Sequence, residues 1–175
     1  MEDRNSISRR EFLIKASMTV GGIVAASFLP KFGSFANAQP TPPVSPSGLP
    51  IRHLGSLKVS AIGLGCMNIA GTYNPPMEMQ QAVKLLREAH ELGVTFFDTA
   101  QLYGMGLSEE ILGKALAPVR RQVVIATKFG QGRASDGSGI EINSRPERIK
   151  VSVDESLKRL NTDYIDLFYQ HRIDP

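Results

Sequence analysis

The sequence predicts an α/β protein with a parallel sheet, in the form of the first half of a (β/α)8 barrel. Three observations predict it. Apolar runs and helical periodicities alternate along the chain from Leu49 onward. Some of those runs are continuously apolar, as strands covered on both faces require. Ionisable or phenolic residues stand at or just after the C-terminal ends of successive strands: Asp98, Tyr103, Lys128 and His171. That end of a barrel is where its chemistry sits.

The predicted elements follow in order. Ile51 to Leu54 and Leu57 to Val59 flank Gly55-Ser56 and read as a hairpin. Ala61 to Cys66 is a short strand in which Gly63 and Gly65 permit close packing. After Pro75-Pro76, Met79, Ala82, Val83 and Leu86 recur at helical spacing, and Gly93 ends that helix. Val94 to Phe97 is an apolar strand. Ser108 is placed to cap a short helix, with Glu109 and Glu110 in the first turn where the helix dipole favours acids. Val123 to Thr127 is the next strand. Gln131 to Asn143 is rich in Gly and Ser and reads as a loop insertion on the same face as the polar strand ends. Ser144-Arg145-Pro146-Glu147 has the form of a capping box, and Ile149, Val153, Leu157 and Leu160 lie on one face of the helix behind it. Ile165 to Tyr169 is the last strand.

The first 48 residues read differently. Ser8-Arg9-Arg10-Glu11-Phe12-Leu13 leads into an apolar stretch from Ala16 to Leu29, then Ala36-Asn37-Ala38. The apolar stretch is shorter than the roughly 20 residues a bilayer span needs. A paired arginine, an apolar segment and a small-residue cleavage site in that order resemble a bacterial twin-arginine signal peptide over residues 1–38. The resemblance implies engagement of the twin-arginine export machinery and a periplasmic or exported location, membrane-anchored if the segment is left uncleaved. Residues 39–48 contain four prolines and read as a stiff spacer. The folded domain is expected over 49–175.

Charge gives no support for a nucleic-acid partner, and none is expected. The chain has 20 basic and 17 acidic residues, but five of the basic and three of the acidic lie in 1–38. The remainder holds 15 and 14, nearly neutral, with no basic stripe. Cys66 is the single cysteine, so an intrachain disulfide, a Cys-x-x-Cys motif and a cysteine zinc site are ruled out, and no metal site is expected. Cys66 reads as a small buried residue rather than a nucleophile.

Two architectures fit the alternation, a doubly wound sheet and a half barrel. A dinucleotide fold wants three glycines after its first strand, and Gly63-Leu64-Gly65-Cys66-Met67-Asn68 offers two. Asp98 lies 33 residues beyond Gly65, too far for the ribose-reading acid. The half barrel is the better reading.

The four polar groups suit proton donation to a carbonyl oxygen during hydride addition. A free tyrosine has a pKa of about 10, too high for an efficient acid at neutral pH. An adjacent ammonium stabilises the phenolate. Lys128 can supply that charge, Asp98 can hold Lys128 charged and oriented, and His171 can polarise or position the substrate oxygen.

The motifs that carry these groups resemble the aldo-keto reductase family. Asp98-Thr99-Ala100-Gln101-Leu102-Tyr103-Gly104 and Ser108-Glu109-Glu110-Ile111-Leu112-Gly113 are similar to its signature. So are Val124-Ile125-Ala126-Thr127-Lys128-Phe129-Gly130, Leu157-Lys158-Arg159-Leu160 and Thr162-Asp163-Tyr164-Ile165-Asp166-Leu167, running on to His171. The resemblance covers Ile51 to Pro175. It implies a (β/α)8 barrel, NADPH as cofactor and reduction of a small-molecule aldehyde or ketone. It places Asp98, Tyr103, Lys128 and His171 at the family's catalytic positions, with Tyr103 as proton donor, and Met67, Asn68 and Asp98 at positions that touch the cofactor. Family barrels need about 250 residues, whereas 127 follow Gly48. The expectation is therefore a truncated N-terminal half, complete only with its missing half. The alternatives are self-association, pairing with a C-terminal half, and an inactive or assembly-dependent fragment acting as a binding module.

Overall fold

The computed structural model describes residues 48–134 and 136–174. The segment expected to be a signal peptide and the expected spacer, up to residue 47, lie outside the described residues.

Strands β1 (Ile51–Leu54) and β2 (Leu57–Ser60) form the expected antiparallel hairpin. Gly55 turns it at φ +60°, a conformation that costs glycine little. Two reciprocal bonds fasten it to the sheet: Ser60 N donates to Thr95 Oγ1 at 2.8 Å, and Thr95 N to Ser60 Oγ at 2.9 Å.

Strands β3 (Gly63–Gly65), β4 (Phe96–Asp98), β5 (Val124–Phe129) and β8 (Leu167–Gln170) form a four-stranded sheet, parallel throughout, in chain order. Helices α1 (Met79–Glu91), α2 (Leu107–Leu116) and α3 (Pro146–Leu160) fall between them. Sequential parallel strands joined by helices make this a partial (β/α) barrel.

Strand alternation divides the sheet into two faces. Phe97, Ile125 and Thr127 turn outward and are buried, while Asp98 and Lys128 turn inward. The outward core joins Phe97 and Ile125 to Leu86 of α1, Ile111, Leu112 and Leu116 of α2, and Leu160 of α3. Each such side chain contributes about 1.5–3 kcal/mol on burial.

Helix α1 begins on Glu78, whose carboxylate accepts from Gln81 N. It ends as predicted at Gly93, which takes φ +94° and donates to His90 O. The other two helices begin differently from expectation. Gly106 precedes α2 at φ +101°, and Ser108, the expected cap, is buried one residue inside the helix. Arg145 precedes α3, with no side-chain cap, because the hydroxyl of Ser144 is taken by Gln170 Nε2 at 2.9 Å. On α3 the most deeply buried line is Ser152, Ser156 and Leu160, with Ile149, Val153 and Leu157 half-buried beside it. Short side chains let α3 approach closely. Gly113 of α2 does the same, since a Cβ there would stand 2.5 Å from Arg159 O.

The stretch 131–143, read as a loop, contains a second hairpin. Strand β6 (Gln131–Arg133) pairs antiparallel with β7 (Ile140–Ile142). Arg148 of α3 braces it, donating to Glu141 Oε1 and to Arg133 O, both at 2.8 Å. At the opposite end of the sheet Arg120 is buried. Its guanidinium donates to Asp166 Oδ2 at 2.7 Å and to the carbonyls of Val123 and Tyr164, and stacks over the Tyr164 ring.

Candidate active site

The site grows from register. Gly65 lies opposite Asp98, Asp98 opposite Ala126, and Lys128 opposite Tyr169. Lys128 is two residues beyond Ala126, so it shares the inward face with Asp98. The two meet at 2.6 Å between Lys128 Nζ and Asp98 Oδ1. The ammonium has three donors, and it spends the other two on Thr99 O at 2.8 Å and Tyr103 Oη at 3.3 Å. Burial works against the charge on Lys128. The hydrogen bond and charge of Asp98, with Tyr169 and Tyr103 beside it, outweigh that burial and hold the ammonium above the ordinary lysine range.

Tyr103 sits in a 3-10 turn after β4, followed by three residues of positive φ: Gly104 at +59°, Met105 at +54° and Gly106 at +101°. A left-handed run that includes a non-glycine residue is costly and marks a constrained turn. Its partner across the site is His171, which follows β8 and is tied back by His171 N donating to Phe129 O. The Tyr103 and His171 rings meet edge to face at 5.6 Å. Burial depresses the imidazole pKa below the ordinary histidine value, and the charge of Lys128 adds to that. Nδ1 of His171 is buried and has no hydrogen-bond partner among the described residues.

Asp98, Tyr103, Lys128 and His171 are thus gathered at one end of the sheet. Met67 and Asn68 occupy the turn that follows β3; Asn68 is exposed, and its side chain makes no hydrogen bond among the described residues. Beside them Gly65 has no atom within 4 Å of where a Cβ would stand. The inward face next to Asp98 is open there. Cys66 is fully buried, and desolvation pushes its thiol up to about 12, which agrees with a packing role.

Two groups that the sequence assigned to the start of a helix, Ser108 as its cap and Glu109 to its dipole, belong to this site's support. Thr99 Oγ1 donates to Ser108 Oγ at 2.8 Å, and Ser108 Oγ donates to Cys66 O at 2.8 Å. Thr127 Oγ1 donates to Glu109 Oε1 at 2.6 Å, and Glu109 Oε2 accepts from Arg159 Nε at 2.7 Å. Thr99 and Thr127 are the outward neighbours of Asp98 and Lys128. Consecutive residues of α2 therefore clamp the two strand ends from behind. A further contact went unread in the sequence: Tyr169 donates its hydroxyl to Asp98 Oδ2 at 2.5 Å. Period-two alternation from Lys128's partner strand is the signal that places Tyr169 inward.

Residues 61–175 match the model of the aldo/keto reductase family. A probable aldo-keto reductase 1 of Glycine max is 44% identical over 119 residues, 67% of this chain and 34% of that protein. The aldo-keto reductase yakc of Schizosaccharomyces pombe, named for NADP(+), is 40% identical over 127 residues, 71% of this chain and 37% of its own length. Among solved structures, the holo form of aldo-keto reductase AKR11C1 from Bacillus halodurans superposes with a TM-score of 0.61 at 41% identity, covering 69% of this chain and 39% of that one. The chain spans about a third of the length of the curated relatives it matches.

Proposed function

This chain belongs to the aldo/keto reductase family, and on that premise we propose that it carries the proton-transfer half of an NADPH-dependent reduction of an aldehyde or ketone to an alcohol. The observation that supports this reading is the Lys128 ammonium held between Asp98 and Tyr103. Lys128 donates to Tyr103 Oη, so the tyrosine's own proton is free for a carbonyl oxygen. After that proton leaves, the ammonium stabilises the phenolate in a partly buried setting where charge interactions are strong. Asp98 keeps Lys128 charged and in place. His171, neutral near pH 7, offers its ring to position the substrate oxygen. NADPH, when bound, supplies the hydride to the carbonyl carbon, and Met67, Asn68 and the open face beside Asp98 are the residues proposed to receive it. The NADP(+) in the name of the fission-yeast relative supports that cofactor.

The reaction is proposed for the barrel completed by the strands that its relatives add. The test is NADPH oxidation with simple aldehydes by the completed protein, with Tyr103→Phe as the diagnostic variant. Loss of general acid catalysis lowers turnover by about 10²–10⁴-fold, with NADPH binding retained. Unchanged turnover in Tyr103→Phe would remove the proposed acid.

A second reading is a binding or assembly module. It predicts monodisperse dimers or a hetero-complex with no measurable NADPH affinity for the chain alone. We further propose export through the twin-arginine route. Export of a reporter fused after residue 38 should stop when Arg9 and Arg10 are both replaced by Lys; continued export would refute the route.

A further inference from the structure

We propose that Tyr169 is a positioning residue of this site, holding the carboxylate of Asp98 so that one oxygen stays on Lys128. The proposal rests on the roles given above to Asp98, Lys128 and Tyr103.

Three acceptors fix the ammonium of Lys128: Asp98 Oδ1, Thr99 O and Tyr103 Oη. The Thr99 carbonyl is backbone at the end of β4, anchored by Thr99 N donating to Ala126 O. Tyr103 is held by a constrained turn. The carboxylate of Asp98 is the acceptor with rotational freedom, because the terminal torsion of Asp is broad and roughly two-fold. Its side chain is 29% exposed, so water competes for whichever oxygen is free. Tyr169 closes that freedom. The register Lys128↔Tyr169 puts its ring on the inward face, and its hydroxyl takes Oδ2 while Lys128 takes Oδ1. With both oxygens engaged from different strands, the carboxylate plane is fixed.

The ring does a second job. Lys128 Nζ lies 4.9 Å from the Tyr103 ring centroid and 5.2 Å from that of Tyr169. Two aromatic faces thus flank the ammonium, within the range of cation–π attraction. Tyr169→Phe keeps the wall and removes only the hydroxyl, which separates the two contributions. Burial, then the bond to Asp98, hold the Tyr169 hydroxyl protonated above the ordinary tyrosine range, as a donor to a carboxylate must be.

The experiment is a [13Cζ]tyrosine NMR titration of the 175-residue chain, which has four tyrosines, Tyr73, Tyr103, Tyr164 and Tyr169. The Tyr169 signal, assigned by its loss in Tyr169→Phe or by elimination with Phe variants of the other three, is expected to titrate above about 10 and to move down in Asp98→Asn. A Tyr169 signal at the ordinary value that ignores Asp98→Asn would overturn the proposal. Kinetics on the completed protein give the second arm. Tyr169→Phe is expected to lower kcat by about tenfold to a hundredfold, the worth of a hydrogen bond to a charged group, with KM for NADPH unchanged. It should have no added effect in an Asp98→Asn background, since it acts through Asp98. A packing role would cost the same in both backgrounds and would overturn the proposal. If the completed protein shows no turnover while the titration arm holds, the proposed function fails and the positioning of Asp98 stands. If turnover is present and Tyr169→Phe leaves kcat unchanged, the positioning role fails alone.

Discussion

Arg159 reaches from α3 to α2 and donates through Nε to Glu109 Oε2 at 2.7 Å, where the glutamate side chain has no exposed surface. The same carboxylate accepts from Thr127, the neighbour of Lys128. Removing one partner of such a pair strands a buried charge. Arg159→Met is expected to destabilise the fold by about 3–5 kcal/mol in urea or thermal unfolding. Glu88→Gln, which breaks the exposed pair with Lys84 on α1, should cost less than about 0.5 kcal/mol. Equal costs in the two variants would show that Glu109 is not acting as a buried charge.

Gly106 tests the same contact from the backbone. Its φ is +101°, and a Cβ there would stand 2.5 Å from Arg159 Cδ. Gly106→Ala therefore combines a strained backbone with a clash. It should destabilise by about 1–3 kcal/mol and perturb the turn that carries Tyr103. Gly55→Ala is the comparison, because that glycine also has positive φ but open space around it. It should lose only the conformational part, about 1 kcal/mol. If Gly55→Ala proves the costlier of the two, packing against Arg159 is not what requires glycine at position 106.

His171 sets a pH dependence whose sign follows from its environment. Burial lowers its pKa, the charges of Lys128 and Arg172 lower it further, and Asp98 opposes them. The unfolded chain then binds more protons than the native one below about pH 6.5. The stabilising contribution is complete above that pH and is lost as pH falls through the native value. Imidazole NMR should show His171 titrating below about 6.5, and His171→Gln should flatten that part of the stability profile. A native His171 titrating above the free value would contradict the buried, neutral ring.

Cys66 gives a simple check on the core. The thiol is fully buried, donates to Leu64 O, and is pushed up to about 12. A thiol reagent at pH 8 should leave the native chain unlabelled and should label one site after unfolding. Stoichiometric labelling of the native protein would mean that the β3 end of the sheet opens.

Much of this arrangement is legible in the order of residues. The Gly55 turn, the Gly93 helix end and the inward pairing of Asp98 with Lys128 rest on local conformational preference and on the two-residue period of a strand. Those rules act over a few residues, so a sequence displays them directly. The expected caps at Ser108 and Ser144 were misplaced because each hydroxyl has a competing partner distant in sequence, Thr99 and Cys66 for the first and Gln170 for the second. The Gly- and Ser-rich stretch after β5 hid a hairpin because its bracing arginine, Arg148, lies on the following helix.

By itself, then, the sequence determined the strand and helix alternation, the order of the parallel strands, and the delivery of Asp98, Tyr103, Lys128 and His171 to one end of the sheet. Tertiary structure alone decided the second oxygen of Asp98, taken by Tyr169 from 71 residues away, and the buried Glu109–Arg159 pair that backs Thr127. The physical reason is that buried polar groups must find partners wherever packing offers them. Which partner is within hydrogen-bond reach depends on strand register and helix approach, and those exist only once the chain has folded.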